Sequence, residues 1–298
     1  MQTSFFLQQL INGLSLGSMY ALIAIGYTMV YGILRLINFA HGELMMIGAY
    51  SALFCITAMN VPFLGALSLA MIFAACVGIA MDKIAYKPLR KAPKISLLIT
   101  AIGMSFFIQN LFNILFGSAP RLFEAPAYLQ EVFEFKGISV SIISIFVPVL
   151  TFIILLFVLF ILYKSKYGIA IRALAFDVGA VNLMGVDANK IISLVFALGS
   201  ALAAVGGVFW ALNYPSVDPN MGVLIGLKAF AAAVLGAIGS VVGAVLGGLI
   251  IGFSEVVAVA FFPELGGFKD AFAFIFLVFI LLFKPSGILG INYERSRF

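Results

Sequence analysis

The side chains that could do chemistry in this 298-residue chain are few, and the most informative ones lie inside or beside long apolar runs. The single histidine stands in the hexapeptide NFAHGE at residues 38–43, while one lysine and one glutamate lie deep in two later apolar runs. Charges at membrane depth are costly, and they usually pair or face a cavity. These side chains could hold helices together or line a pathway for a polar solute, and the candidate pathway or gate residues are Asn38, His41, Glu43, Lys228 and Glu255.

Each group has a structural and a functional interpretation, and both stay open. Asn38, His41 and Glu43 could form a helix start at a membrane surface, with Asn38 as the N-cap and Glu43 in the first turn near the positive end of the helix dipole. They could equally line a translocation pathway. Lys228 and Glu255 could form an ion pair between adjacent helices, or they could act as a gate or a substrate contact.

The sequence lacks the metal-protease, redox and nucleotide-binding motifs of enzymes. There is no HExxH or CxxC pattern and no phosphate-binding GxxxxGK[ST] loop, and the GxSxG match GLSLG at residues 13–17 lies inside the first apolar run. We therefore expect no catalytic residue, no metal site and no cofactor held by this chain, which would not be an enzyme. If the protein moves a solute uphill, the energy must come from an ion gradient or from another chain.

The elements that position these residues are apolar helices. The chain is 64% hydrophobic and only 10% charged, whereas soluble domains carry about 25% charged residues. Many runs of 18 or more residues lack charge, which is the length of a membrane-spanning helix, and their side chains do not alternate as in a barrel strand. The sequence predicts an all-α polytopic membrane protein with eight or nine transmembrane helices, residues 1–298 forming one domain.

Nine apolar runs define the predicted helices. The seventh is short enough to be a broken or re-entrant helix. Gly13 and Gly17, and later Gly239, Gly243 and Gly247, recur at a four-residue spacing that lets helices approach closely. The runs cover residues 5–34, 44–59, 63–81, 95–116, 138–163, 191–212, 223–238, 241–262 and 271–283.

Basic residues are distributed unevenly between the loops. Twelve of the 17 Lys and Arg residues lie in segments 82–94, 164–190 and 284–297. Because cytoplasmic loops carry the excess of positive charge, these segments and the C-terminus are predicted to be cytoplasmic. The net charge of +5 therefore indicates membrane orientation rather than a nucleic-acid partner.

Residues 164–190, KSKYGIAIRALAFDVGAVNLMGVDANK, form the longest polar interruption between two apolar runs. A helix over residues 169–184 would place Ala173, Asp177, Ala180 and Met184 on one face, with Gly185 as its C-terminal stop. Such a helix is marginal alone in water and needs a surface to lie on. We interpret it as a cytoplasmic docking helix; an ordinary internal loop is the alternative.

Several stretches together resemble a known family, the H-type permease subunits of branched-chain amino-acid ABC importers. They are residues 17–48, 101–110, 168–185 and 228–248, and the closing motif PSGILG at 285–290. The resemblance implies a multi-pass protein of the bacterial inner membrane that pairs with a second, M-type permease subunit. Two cytoplasmic ATPase subunits, which hold the ATP and Mg, would dock beneath, and a periplasmic or extracellular substrate-binding protein would deliver leucine, isoleucine or valine.

The docking stretch matches the coupling segment of that family at Arg172, Ala173, Asp177, Ala180 and Gly185; Met184 joins them from the predicted face. Two other functions stay open. A urea or short-amide permease belongs to the same family, and a secondary transporter could use Lys228 and Glu255 as an ion-coupling pair.

Overall fold

A computed structural model describes residues 2–90, 92–135 and 138–290, which are mostly α-helical. Residues Asp82–Tyr86 extend the third helix as a π-helical turn, Lys87–Leu89 add a 3-10 turn, and Pro263–Phe268 form another. The helices are α1 (Gln2–Leu34), α2 (His41–Thr57), α3 (Phe63–Met81), α4 (Lys94–Phe116), α5 (Ala127–Gln130), α6 (Ile142–Lys164), α7 (Lys166–Phe176), α8 (Val178–Leu183), α9 (Ala188–Asn213), α10 (Met221–Gly236), α11 (Val241–Phe261) and α12 (Lys269–Phe283).

Seven of the described helical segments are long and apolar enough to cross a membrane, and α2 and α10 are shorter helices packed among them. The prediction of an all-α polytopic membrane protein with eight or nine helices is confirmed. The seven segments are Ser4–Leu34, Phe63–Leu89, Lys94–Phe116, Ile142–Lys164, Ala188–Asn213, Val241–Phe261 and Gly266–Phe283.

Four short strands lie between the helices. β1 (Arg121–Leu122) pairs antiparallel with β4 (Ser216–Val217), and β2 (Val132–Phe135) pairs antiparallel with β3 (Ile138–Ser141). The predicted fifth run therefore began too early, because its first four residues form β3. Ser141 ends this strand and caps α6, since its hydroxyl accepts a hydrogen bond from the Ser144 amide at 3.3 Å.

α1, α10 and α11 form a block whose helices approach with almost no side chain between them; we call it the glycine-packed block. A Cβ atom added at Gly252 would collide with the backbone of Gly17, and one at Gly248 would collide with the backbone of Ala21. The predicted close packing of the glycine faces is confirmed for both helices. Gly239 is the exception, because it lies in the turn before α11 with φ +96°.

α10 is 16 residues long, or about 24 Å at 1.5 Å per residue, which is shorter than a typical hydrocarbon core. Its last carbonyls are satisfied by the C-terminal motif: the amides of Ile288 and Leu289 donate to Leu235 and Gly236 at 2.9 and 3.0 Å. The PSGILG motif at residues 285–290 therefore supplies hydrogen-bond donors to the C-terminal end of this short helix.

Candidate functional site

Lys228 on α10 and Glu255 on α11 meet inside the glycine-packed block. The lysine Nζ lies 2.9 Å from Glu255 Oε1 and 3.1 Å from Oε2, and the two residues are only 2% and 3% exposed. Tyr20 on α1 joins them: its hydroxyl donates to Glu255 Oε2 at 2.9 Å and accepts from Lys228 at 3.1 Å. The predicted ion pair is confirmed, and a role as a gate or substrate contact stays a prediction.

Asp270, in the first turn of α12, forms a second ion pair with Lys228. Its side chain is 34% exposed, unlike that of Glu255. Sequence reasoning placed this residue in a loop and missed it. The available signal was a lone acid immediately before an apolar run, which favours a helix start.

A cavity of about 560 Å³ opens over this ion cluster. Lys228, Glu255 and Tyr20 line it, together with Trp210 and Tyr214 at the end of α9. Burial raises the pKa of the Tyr214 hydroxyl, and the negative charge of Glu255 raises it further. The cavity therefore combines fixed buried charges with aromatic walls.

Asn38, His41 and Glu43 lie together at the start of α2 and are at most 2% exposed. The predicted N-cap is wrong: Ala40 precedes the first helical residue, and no side chain in the described part of the chain caps the helix. Asn38 instead accepts a hydrogen bond from the Tyr86 hydroxyl at 2.6 Å, because its side chain points to the turn that follows α3. Glu43 does lie in the first turn, as predicted.

Glu43 accepts a hydrogen bond from the Ser105 hydroxyl of α4 at 2.9 Å. Its other oxygen, Oε2, and Asn38 Nδ2 are buried with no hydrogen-bond partner among the described residues. An unsatisfied buried polar atom costs about 1–3 kcal/mol. Asn38, His41 and Glu43 therefore form a polar cluster in the protein interior rather than a helix cap at the surface. That this cluster lines a translocation pathway stays a prediction.

The predicted single docking helix over residues 169–184 is wrong, because the chain breaks at Asp177. That residue is extended (φ −153°), and its Oδ1 accepts hydrogen bonds from the amides of Gly179 and Ala180 at 2.7 and 3.1 Å. An aspartate that caps a new helix competes with continuing the old one. Ala173 on α7 and Ala180 on α8 consequently do not share one helical face.

The remaining features of the docking segment, residues 164–190, agree better with expectation. Gly185 ends α8 with φ +81°, a left-handed conformation that favours glycine. Arg172 lies on α7 with its guanidinium carbon 5.0 Å from the centre of the Tyr163 ring. The predicted docking residues are all exposed, namely Arg172, Ala173, Asp177, Ala180, Met184 and Gly185.

The most exposed large apolar side chains in this segment are Phe176, Leu183 and Met184, which are 79%, 90% and 83% accessible. Of these, only Met184 was predicted to be a docking residue. Phe176 and Leu183 were missed because the continuous helix hid the break that turns them outward. Exposed apolar side chains in a polar segment between two apolar runs favour an interaction surface.

A polar network that sequence reasoning missed ties the docking segment to the rest of the fold. Asp82 is fully buried, forms an ion pair with Arg90 and accepts a hydrogen bond from the Ser193 hydroxyl at 2.6 Å. Arg90 also donates to Asn189 Oδ1 at 2.6 Å. The sequence signal for this network was a single acid, Asp82, among many basic residues.

Of the basic residues used to predict orientation, Lys91, Arg295 and Arg297 lie outside the described residues.

Similarity to known proteins covers almost the whole chain. Residues 9–281 match the family model described as the permease component of the branched-chain amino acid transport system. The chain is 43% identical over 298 residues to the high-affinity branched-chain amino acid transport system permease protein BraD of Pseudomonas aeruginosa, with 96% of each chain covered. It is 39% identical over 305 residues to the permease protein LivH of Escherichia coli K12, with 97% of each chain covered.

A more distant relative is named for a different substrate. The chain is 27% identical over 257 residues to the ribose import permease protein RbsC of Escherichia coli K12. The alignment covers 84% of this chain and 77% of RbsC. The stronger and longer similarities are thus to permeases named for branched-chain amino acids.

Proposed function

The chain belongs to the family of permease components of branched-chain amino acid transport systems, and from this premise we propose that it is the membrane permease subunit of an ABC importer for leucine, isoleucine and valine. The observation that carries the proposal is the similarity to high-affinity branched-chain amino acid permeases over nearly the full length of both chains. ATP would be bound and hydrolysed, with Mg, on partner ATPases rather than on this chain.

In this proposal the docking segment and residues 82–94 face the cytoplasm of a bacterium, and the protein crosses the inner membrane. The excess of Lys and Arg in these segments supports that orientation. The C-terminus lies on the same side, a second M-type permease subunit lies alongside, and a substrate-binding protein docks on the opposite face.

Two cytoplasmic ATPases dock beneath the pair of permeases, one of them on the exposed surface of α7 and α8. The exposed Phe176, Leu183 and Met184 support this assignment, because burial of large apolar side chains drives protein association. Arg172 and Asp177 add charges of both signs to the same surface, which supplies specificity more than affinity.

The contacts of the docking segment suggest how its movement would reach the membrane helices. Only Ser165 separates α6 from α7, and a Cβ atom at Gly168 would collide with the carbonyls of Ile161 and Leu162. At the other end, the Asn182 side chain accepts a hydrogen bond from the Ala188 amide at 3.1 Å. A displacement of α7 and α8 would therefore move α6 and α9 together.

The network around Asp82 extends this path to α3. Arg90 connects the turn after α3 to Asn189 at the start of α9. Because the Asp82 carboxylate is buried and held from both sides, it fixes the spacing of the two helices. Three helices would consequently follow a movement imposed on the docking segment.

Leucine uptake into vesicles that contain both permeases and both ATPases tests the proposed function. With the binding protein outside and ATP inside, uptake should occur, and unlabelled leucine should compete while urea and acetamide should not. Uptake should stop in ATP-depleted cells that keep their proton gradient. Uptake that persists there would favour a secondary transporter, and competition by urea would favour an amide permease.

Arg172→Glu should weaken assembly with the ATPases and lower coupled uptake, while insertion into the membrane stays normal. The matched control is Arg121→Glu, since Arg121 also packs its guanidinium on an aromatic ring, that of Phe116 at 5.5 Å, but lies in β1 on the opposite face. The fraction of ATPase that co-purifies with the permease separates the two variants. Equal retention of ATPase in both would contradict the docking role.

A further inference from the structure

We propose that the cavity above Lys228, Glu255 and Asp270 is a binding site for a zwitterionic aliphatic amino acid within this single subunit. The inference rests on the proposed function and adds to it a location and the groups that recognise the ligand. The size of the cavity, the arrangement of its charges and the residues of its walls support it.

The size of the cavity suits a small organic ligand. Its volume is about 560 Å³, within the range of roughly 300–1,000 Å³ usual for ligand sites. Helices α1, α6, α9, α10, α11 and α12 all contribute to its lining. A space bounded by six helices is a preformed cleft rather than a gap under one loop.

The charges of the cavity match a zwitterion. Four charged side chains line it, Lys228, Lys269, Glu255 and Asp270, so their formal charges cancel, as the two charges of the ligand also do. Lys228 contacts both carboxylates. The ammonium group of a ligand can replace Lys228 as the partner of one carboxylate. The carboxylate group of the ligand can pair with Lys228 or Lys269, so that no buried charge is left unpaired.

Asp270 is the group best placed to make this exchange. Its side chain is 34% exposed, whereas those of Lys228 and Glu255 are 3% and 4% exposed. Glu255 keeps Lys228 and Tyr20 as partners when Asp270 turns to the ligand. Lys269 is its neighbour in sequence and lines the same cavity. We therefore assign the ligand ammonium to Asp270 and the ligand carboxylate to Lys269.

The walls of the cavity suit an aliphatic side chain. Leu224 and Ile225 of α10 face the same space as Val256 and Val259 of α11. Burial of aliphatic surface contributes about 0.8 kcal/mol per methylene. The site therefore favours leucine, isoleucine or valine over urea, which has neither a full charge nor an aliphatic side chain.

The single tryptophan of the chain, Trp210, lines this cavity, so its fluorescence reports on binding. The permease is purified in detergent micelles, without the binding protein or the ATPases, so that Trp210 is the only tryptophan in the sample. It is titrated with leucine, 4-methylpentanoate and 3-methylbutylamine. Leucine should give a saturable change, and each single-charge analogue should bind at least about tenfold more weakly, because one charged partner stays unpaired. No saturable response to leucine, or equal responses to all three compounds, would overturn the proposal.

Substitutions of Lys269 and Asp270, which we call the rim of the cavity, test the location of the site. Asp270→Asn and Lys269→Gln should each weaken leucine binding about tenfold. Lys269 is exposed, and Lys228 keeps Glu255 as its partner when the half-buried Asp270 is replaced, so we expect both variants to fold. Glu124→Gln is the matched control, since Glu124 is exposed and does not line the cavity. Unchanged leucine affinity in both rim variants, with unfolding temperatures like that of the control, would place the ligand elsewhere and overturn the assignment.

Two further measurements distinguish an amino-acid site from a lipid site, and a failure of the cavity site from a failure of the proposed function. Glycerophosphoethanolamine carries the charges of a zwitterionic lipid headgroup, and tighter binding of this compound than of leucine would mean that the cavity holds lipid. Leucine uptake by the complete complex is measured on the same preparation. Uptake without leucine binding to the isolated permease contradicts the cavity site alone, whereas loss of all uptake contradicts the proposed function.

Discussion

The docking segment and the glycine-packed block are held by opposite kinds of interaction. In the docking segment, α7 and α8 begin at side-chain caps, Ser165 and Asp177, and α8 ends at a left-handed glycine. In the block, helices α1, α10 and α11 touch backbone to backbone around the ion pair of Lys228 and Glu255. The helix ends of the docking segment are stabilised by residues a few positions away, whereas the block is held by contacts between separate helices.

This difference indicates which region can move. A cap contributes about 1 kcal/mol and can be lost and regained locally, whereas a packed helix interface shifts only as a unit. The docking segment also keeps large apolar side chains exposed. The docking segment is therefore suited to bind a partner and to move with it. The glycine-packed block is suited to stay rigid while the docking segment moves.

The largest effect should come from Gly252→Leu in the glycine-packed block. A side chain at this position collides with the backbone of Gly17 and Leu16, so the loss of stability should exceed about 4 kcal/mol and leave little monodisperse protein in size-exclusion chromatography. Gly103→Leu on α4 is the control, because no described residue lies within 4 Å of a Cβ there. Similar yields of both variants would show that the block is not tightly packed.

Lys228→Met should destabilise the protein by about 3 kcal/mol, since it leaves the Glu255 carboxylate buried without its ammonium partner. The double variant Lys228→Met/Glu255→Gln should recover a large part of this loss. Thermal unfolding followed by Trp210 fluorescence measures both. A double variant no more stable than the single one would mean that Asp270 or solvent, rather than the ion pair, sets the stability.

Asp177→Ala should cost about 1 kcal/mol, and the loss should be confined to α8. Hydrogen exchange of the Gly179 and Ala180 amides should accelerate, because they donate to Asp177, while the global unfolding temperature should hardly change. Asp177→Asn serves as control, since asparagine caps equally well. Faster exchange in both variants would point to the charge rather than the cap.

The smallest effect on stability should come from Leu183→Ser. Leu183 is 90% exposed, so the unfolding free energy should change by less than about 0.5 kcal/mol, yet co-purification of the ATPases should fall. Leu122→Ser, a 65% exposed leucine in β1, is the matched control on the opposite face. Normal ATPase retention by Leu183→Ser would contradict the docking role of α8.

Much of the fold could be predicted from sequence because helices in an apolar solvent satisfy their own backbone groups. The third predicted run agrees with α3 at both ends, and the fourth is within one residue of α4. Errors arose where a polar side chain decides a boundary. Ser141 and Asp177 each start a helix by capping it, and apolar periodicity does not register such local competition.

The candidate sites were predicted less completely than the helices. Lys228 and Glu255 stood out because charge is rare in an apolar run, and their pairing followed from its cost. Asp270, Tyr20 and Trp210 were not associated with them, because Asp270 was placed in a loop and an aromatic side chain does not stand out in an apolar run. The partners of Asp82 were missed because nothing in the sequence relates it to Ser193, 111 residues away.

The sequence by itself determined the solvent of this protein, its long apolar helices and the positions of its basic loops, because hydropathy and charge act residue by residue. Only the tertiary structure decided that Asp270 and Tyr20 complete the ion cluster, that a cavity lies above it, and that Phe176 and Leu183 turn outward. Those features depend on which helices pack together and where a helix breaks. Packing sums contacts between distant residues, and a linear pattern of hydropathy does not contain them.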